Sequence, residues 1–187
     1  MPERQRADAR RNYARILAVA EQEVDAHGAA ASLEQIARVA GVGSATVRRH
    51  FPTRRALLQA VSHKRIDALC ERADELAGKD DARAALLDWL DDLLTYCVAA
   101  RGLAAALVYD GESESVHQNS CSTRIEEAGE PLLRRAVQEK AVPGDVTVSE
   151  LVALIIGIVL TTEHRPDSQA AAKRLFGLIV AGISPKL

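Results

Sequence analysis

Ala40-Gly41-Val42-Gly43 is the feature that most narrows what this 187-residue chain can fold into. Both glycines fall between two stretches whose apolar residues recur at helical spacing, so the chain must turn tightly there. Upstream, Ser32-Leu33-Glu34-Gln35 has the form of a capping box, with Ser32 taking an orphan backbone N–H and Gln35 reaching back. Leu33, Ile36, Ala37 and Ala40 follow at i, i+3, i+4 and i+7, which makes one buried helix face. Downstream a short helix runs to about His50. Pro52 ends it, and Thr53 is the expected N-cap of a long helix covering roughly 54–76. Before the turn, Tyr13, Ile16, Leu17, Ala20 and Val24 keep helical spacing within 6–27, and Gly28 stops that run. Three helices, the last two joined by a glycine turn, are the helix-turn-helix layout.

The third helix can be read residue by residue. At about 100° per residue, with Val47 at zero, Phe51 lies near +40° and Arg48 near +100°. Thr46 then falls near −100°, Ala45 near +160° and Arg49 near −160°. This helix therefore buries Val47 and Phe51 and turns Ala45, Thr46, Arg48 and Arg49 outward. Charge supports the same end of the chain. The net charge is −2, yet residues 1–65 carry 12 Lys+Arg against 6 Asp+Glu, and the remainder carries 12 against 20. A segment of +6 beside one of −8 points to a polyanion partner for the N-terminal end alone. A small residue among long cationic ones lets a helix sit deep in a groove while its neighbours grip phosphates. That reading requires guanidinium groups neither turned inward nor locked to carboxylates of the same chain. Arg4, Arg6, Arg10 and Arg11 either extend into a minor groove or stay solvated.

The stretch SLEQIARVAGVGSATVRRHFPTRRALLQAV resembles the DNA-binding region of TetR-type transcriptional regulators. Their pattern runs from a capped helix through A-G-V and a Thr-Leu-Tyr-x-His-Phe core to a Lys or Arg before a leucine-rich helix. The resemblance spans residues 10–61. It implies that Ser44, Ala45 and Arg48 face base edges, that Thr46, Arg49, His50 and Arg54 hold the phosphate backbone, and that Ser32 offers its helix N-terminus to a phosphate. Two positions depart from the pattern. Arg48 stands where tyrosine is usual, and either reads guanine through O6 and N7 or adds a phosphate contact. Gly43 stands where a Ser or Thr cap is common, at little cost, because glycine is a tolerable N-cap. His50 fits phosphate contact and packing against the long helix equally.

The acidic remainder reads as five or so further helices. Within 82–100, Leu86, Leu90, Leu93 and Cys97 share one stripe, with Trp89 and Tyr96 beside it. Gly102 and Gly111 bracket a short apolar segment, and a helix over about 116–140 ends at Val-Pro-Gly-Asp. The region 147–162 is apolar nearly all round, so it should be buried on several sides. In 168–183, Leu175, Ile179 and Ile183 lie on one line with Phe176 and Val180 beside it. The fold class is all-α, about nine helices. A helix-turn-helix DNA-binding domain occupies 1–52, a connecting helix 53–77, and a ligand-binding and dimerisation domain 78–187.

These last helices serve either an intramolecular core or a homodimer interface. The resemblance implies the interface, with Leu154, Ile158, Leu175, Phe176, Ile179 and Ile183 in it. Geometry agrees, because two half-sites roughly 34 Å apart require a two-fold partner. The resemblance also implies a pocket for a small-molecule effector in the middle helices. Trp89, Tyr96, Cys97, Leu103, Leu107, Tyr109, His117, Cys121 and Arg124 are candidates to line it, and each also fits as core or surface.

Other classes find little support. No Gly-rich phosphate loop, HExxH or GxSxG occurs, and the carboxylates are scattered along helix faces. His117 and Cys121 at i, i+4 lack an obvious third and fourth metal ligand. Three unpaired, widely spaced cysteines suit a reducing compartment. The longest apolar run, 151–160, is half the roughly 20 residues that span a bilayer, and the polar N-terminus lacks a secretory signal. The expectation is therefore a homodimeric, ligand-responsive repressor on a palindromic double-stranded DNA operator. It has no catalytic or metal site, no cofactor beyond an unidentified effector, and no membrane partner, and it works in the bacterial cytoplasm on the nucleoid. A helical protein–protein adaptor is the alternative, but it leaves the outward Arg48–Arg49 pair unexplained.

Overall fold

The computed structural model describes residues 2–27, 31–108 and 114–183, and among these the side chains of 8–27, 31–100 and 122–182. The described residues form eight α-helices: α1 (Pro2–His27), α2 (Leu33–Val39), α3 (Ser44–His50), α4 (Arg54–Leu76), α5 (Ala82–Val108), α6 (Glu114–Gln138), α7 (Val148–Thr162) and α8 (Ser168–Ile183). They fall into two compact units. The N-terminal unit comprises Met1–Lys64 with Gly102–Glu112, and the C-terminal unit comprises Arg65–Arg101 with Ser113–Leu187.

The core of the N-terminal unit joins Ile16, Leu17, Ala20 and Val24 of α1 to Ile36 and Ala37 of α2, Val47 of α3, Phe51, and Leu57, Leu58 and Val61 of α4. The turn between α2 and α3 is built as the sequence predicts. Gly41 takes φ +62°, the left-handed region that favours glycine. The Val42 N–H then reaches the Ala37 carbonyl at 3.0 Å and the Gly41 N–H reaches the Arg38 carbonyl at 3.2 Å. This is a Schellman motif, and it satisfies carbonyls that the end of α2 would leave orphaned. Val42 packs against the same core. At the start of α4, the Thr53 hydroxyl accepts the Ala56 N–H at 3.0 Å, again as expected.

The capping box at Ser32 is only half formed. Its hydroxyl accepts the Gln35 N–H at 3.3 Å. The Ser32 N–H, however, points to Glu23 Oε1 of α1 at 3.4 Å, and the Gln35 side chain accepts from Arg38. A carboxylate is a stronger acceptor than an amide, and a guanidinium one turn away is a stronger donor than a backbone N–H. Tertiary packing has replaced half of a local motif.

The C-terminal unit is organised around Trp89, which is fully buried and donates its indole N–H to the Leu69 carbonyl at 3.2 Å. Leu86, Leu90, Leu93 and Leu94 of α5, Leu132, Leu133 and Ala136 of α6, and Val148, Leu151 and Ile155 of α7 complete that core. Gly129 lies flush against the indole. A Cβ there would stand 2.6 Å from Cη2 and 2.7 Å from Cζ3 of Trp89, and 2.9 Å from Val148. The helix α5 runs unbroken through Gly102, the start of the short apolar segment, to Val108; one interior glycine costs about 1 kcal/mol, which a long helix absorbs. And α7, apolar nearly all round, is covered on one side only: Leu151, Ile155, Ile158 and Val159 are buried, whereas Leu154, Ile156 and Leu160 are exposed. Thr147 and Glu150 close a complete capping box at its start.

Candidate nucleic-acid interface

α3 is held from behind and open in front. Val47 is 0% exposed and Phe51 2%, both within the N-terminal core. Tyr13 of α1 stacks on Phe51 with ring centroids 5.3 Å apart and meets the edge of His50 at 5.8 Å. His50 is thus half-buried, with its ring against Tyr13 of α1. On the outer side Ser44, Ala45, Arg48 and Arg49 are exposed and Thr46 is half-buried. The angular positions inferred from Val47 therefore describe the helix as folded.

The three arginines differ in their partners. Arg49 has no ion-pair partner among the described residues. Arg54 directs Nε and Nη2 at the Ala31 carbonyl, at 3.3 and 2.9 Å, and so ties the start of α4 to the chain entering α2. Arg48 Nη2 meets Glu34 Oε1 of α2 at 2.9 Å, with both side chains mostly exposed. The sequence reading left Arg48 without a carboxylate of its own chain, and this pair corrects it. Glu34 and Arg48 are 14 positions apart and meet only because the glycine turn folds α3 back beside α2. The Glu34 carboxyl is held below the usual carboxylate range by a hydrogen bond from its own backbone N–H and then by Arg48. A pair this exposed is screened and readily exchanged, so it does not lock the guanidinium away from an incoming phosphate or base. Ser32 sits half-buried at the N-cap of α2, its hydroxyl occupied as described.

Of the nine candidate pocket residues, four have described side chains. Trp89 fills the core, with its N–H satisfied and its ring covered by Gly129, and so presents nothing to a ligand. Tyr96 and Cys97 pack against that core from the side, and burial pushes the Cys97 thiol up to about 11. Arg124 is paired with Asp67 of α4. The side chains of Leu103, Leu107, Tyr109, His117 and Cys121 lie outside the described residues.

A different cavity, unanticipated from the sequence, opens between α5, α7 and α8. Its volume is about 1270 Å³, and Leu86, Leu87, Leu90, Leu151, Leu154, Ile158, Leu175, Leu178 and Ile179 line it. Asp145, Glu150 and Thr161 add polar atoms, and Gly157 and Gly182 leave room at the wall. Four of the six residues expected at the dimer interface, Leu154, Ile158, Leu175 and Ile179, belong to this lining. Phe176 lies in a narrower recess beside Leu87, Leu90 and Leu151. The Ile183 side chain is outside the described residues. A weak signal for the cavity was present in the run of aliphatic residues interrupted by Gly157 and Gly182.

Among the described residues no helix is long and apolar enough to cross a membrane, and no group of three His, Cys, Asp or Glu side chains could hold a metal ion. Comparison with known proteins gives the architecture its relatives. Residues 16–61 match the profile of the bacterial regulatory proteins of the tetR family, and residues 81–185 match the C-terminal domain of SbtR-like transcriptional regulators. Among curated proteins no sequence matches. A TetR transcriptional regulator from Streptomyces coelicolor is 32% identical, superposes with a TM-score of 0.76, and covers 94% of this chain and 99% of its own. A TetR transcription regulatory protein from Mycobacterium vanbaalenii is 31% identical with a TM-score of 0.74, covering 97% of this chain and 99% of its own. The TetR family regulator PfmR from Thermus thermophilus, 18% identical with a TM-score of 0.59 over 92% of this chain and 97% of its own, shares the fold. With an outward-facing third helix backed by Val47 and Phe51, and both halves matched, the chain belongs to the TetR family of DNA-binding transcriptional regulators.

Proposed function

We propose that this TetR-family protein is a homodimeric repressor that reads a palindromic double-stranded operator and answers to a small-molecule effector. The observation that carries the dimer is the exposure of large aliphatic side chains on α7 and α8. Leu154 and Ile156 are each 46% exposed, Leu160 59% and Leu178 61%. A contiguous apolar surface of this kind favours a second apolar surface over water. A two-fold partner supplies one and also brings a second α3 to the next turn of DNA. In this reading residues 1–52 bind DNA, 53–77 connect, and 78–187 bind effector and partner.

On the DNA, Ser44, Ala45 and Arg48 face base edges, while Thr46, Arg49, His50, Arg54 and the Ser32 cap contact phosphates. Repression needs only occupancy of a site, and the protein acts in the cytoplasm on the nucleoid. The effector enters the C-terminal unit. Coupling between such a site and DNA is typically worth about 1–3 kcal/mol.

The test is selection of duplexes from a randomised pool by the full-length protein, with and without a cell extract of small molecules, beside sedimentation velocity. A dimer that enriches inverted repeats, with enrichment altered by the extract, is expected. A monomer that enriches single half-sites, or indifference to every extract fraction, overturns the reading.

A further inference from the structure

The ion pair between Arg48 and Glu34 joins α3 to α2 on the face that α3 turns outward. Neither Arg49 nor Arg54 meets a carboxylate there: Arg49 has no ion-pair partner among the described residues, and Arg54 is directed at a backbone carbonyl. Of these three arginines, Arg48, the one assigned to a base edge, is the one that meets a carboxylate. We propose that Glu34 is a positioning residue for base recognition, whose carboxylate aims the Arg48 guanidinium at a base edge and discourages it from closing on any nearby phosphate. The inference rests on the reading that Arg48 faces DNA.

Phosphates surround a DNA-bound helix on both sides, whereas a base edge is reached from one direction only. An unrestrained arginine has many rotamers and meets the phosphates first. Glu34 biases that freedom weakly, by offering a partner to the rotamers that lie beside α2. It stands in the first turn of α2, where its carboxylate accepts from the backbone, and its Oε2 lies 3.5 Å from the Ser32 hydroxyl. The pair occupies Nη2 of Arg48, and a guanidinium has five N–H donors in a planar fork. One edge can therefore stay with Glu34 while the other meets O6 and N7 of a guanine. A carboxylate at this place also repels phosphate oxygens, so it penalises contacts that carry no sequence information.

The experiment compares the full-length parent with Glu34→Ala, Glu34→Gln and Arg48→Ala, using two probes: a mixed-sequence duplex and a randomised duplex pool. On the mixed-sequence duplex Glu34→Ala should bind about two- to fivefold tighter, and its slope of log affinity against log salt should steepen by about one per protomer. In the pool, Glu34→Ala should flatten the preference at one base position per half-site, and Arg48→Ala should flatten the same position. Glu34→Gln keeps the shape and should move both readouts in the same direction by less, so a failure of the alanine variant to fold leaves the question answerable. An unchanged base preference and unchanged mixed-sequence affinity in both Glu34 variants overturns the proposal and leaves the regulator intact. So does an equal loss on every duplex, which is what a purely structural role in α2 produces, or a uniform loss from Arg48→Ala, which moves Arg48 to a phosphate. A parent protein that enriches no sequence at all refutes the operator reading itself, and with it this inference.

Discussion

The outer face of α3 and the outer faces of α7 and α8 are both left open by the folded chain, yet their chemistry is opposite. α3 carries Arg48 and Arg49 over a closed apolar back made by Val47 and Phe51. α7 and α8 carry Leu154, Ile156, Leu160 and Leu178 over a wall of buried leucines and isoleucines. The first face is costly to bury against anything but an anion. The second is costly to leave in water. Each exposed surface thus selects a partner by what water does to it, a polyanion in one case and another apolar surface in the other.

The sharpest way to break this comparison is to give the second face the character of the first. Leu154→Glu with Leu178→Glu should weaken self-association by at least about 100-fold, because in the proposed dimer two-fold symmetry places two unpaired charges on each side of the interface. Monomer stability should barely change, since both positions are already exposed. Sedimentation equilibrium with a parallel urea titration reads the two effects, and an unaltered dimer removes α7 and α8 from the interface. A second change tests what stands behind that face. Gly129→Val forces side-chain atoms into Trp89 and Val148, and overpacking of this kind costs about 1–3 kcal/mol. For a chain of this length a loss of that size lowers the melting temperature by several degrees; an unchanged melting curve would mean that the contact is not tight.

On the cationic side, Arg49→Ala should weaken binding on all duplexes alike, about tenfold, and flatten the salt slope by about one per protomer. A loss confined to particular sequences would place Arg49 at a base edge. A last prediction concerns how dry the C-terminal unit is away from its open face. With the Cys97 thiol pushed up to about 11 by burial, its stabilising contribution is complete below the unfolded thiol's value of about 8.5 and is lost as pH rises through about 11. Native Cys97 should accordingly alkylate at pH 8 about 100-fold more slowly than the denatured chain, as read by mass spectrometry of the labelled peptide.

What the sequence discloses is what its local spacing controls. The angular order of Val47, Arg48, Arg49 and Phe51, the glycine turn at Gly41, and the Thr53 cap are short-range matters, and the folded chain keeps them. Contacts between helices are a different matter. Glu34 lies 14 positions from Arg48, and no periodicity links them until the turn brings α2 and α3 together. The same holds for Ser32, whose N–H is taken by Glu23 nine positions upstream instead of by Gln35. Trp89 illustrates a second difficulty. Helical spacing shows that it faces inward but cannot say whether a ligand or Gly129 covers it, because that depends on another helix forty positions away. The α5–α7–α8 cavity was signalled only weakly for the same reason, being the space left by three helices that each read as ordinary amphipathic or apolar segments.

Trp89 is the single tryptophan of the chain, and its indole belongs wholly to the C-terminal unit. Ultraviolet emission excited at the red edge of protein absorbance therefore reports one half of the molecule and is blind to the other. A change in that signal when a candidate compound is added localises its action without any label, while DNA added alone supplies the matching control. Unfolding followed by emission and by circular dichroism in parallel would also reveal whether the two halves melt together or one at a time.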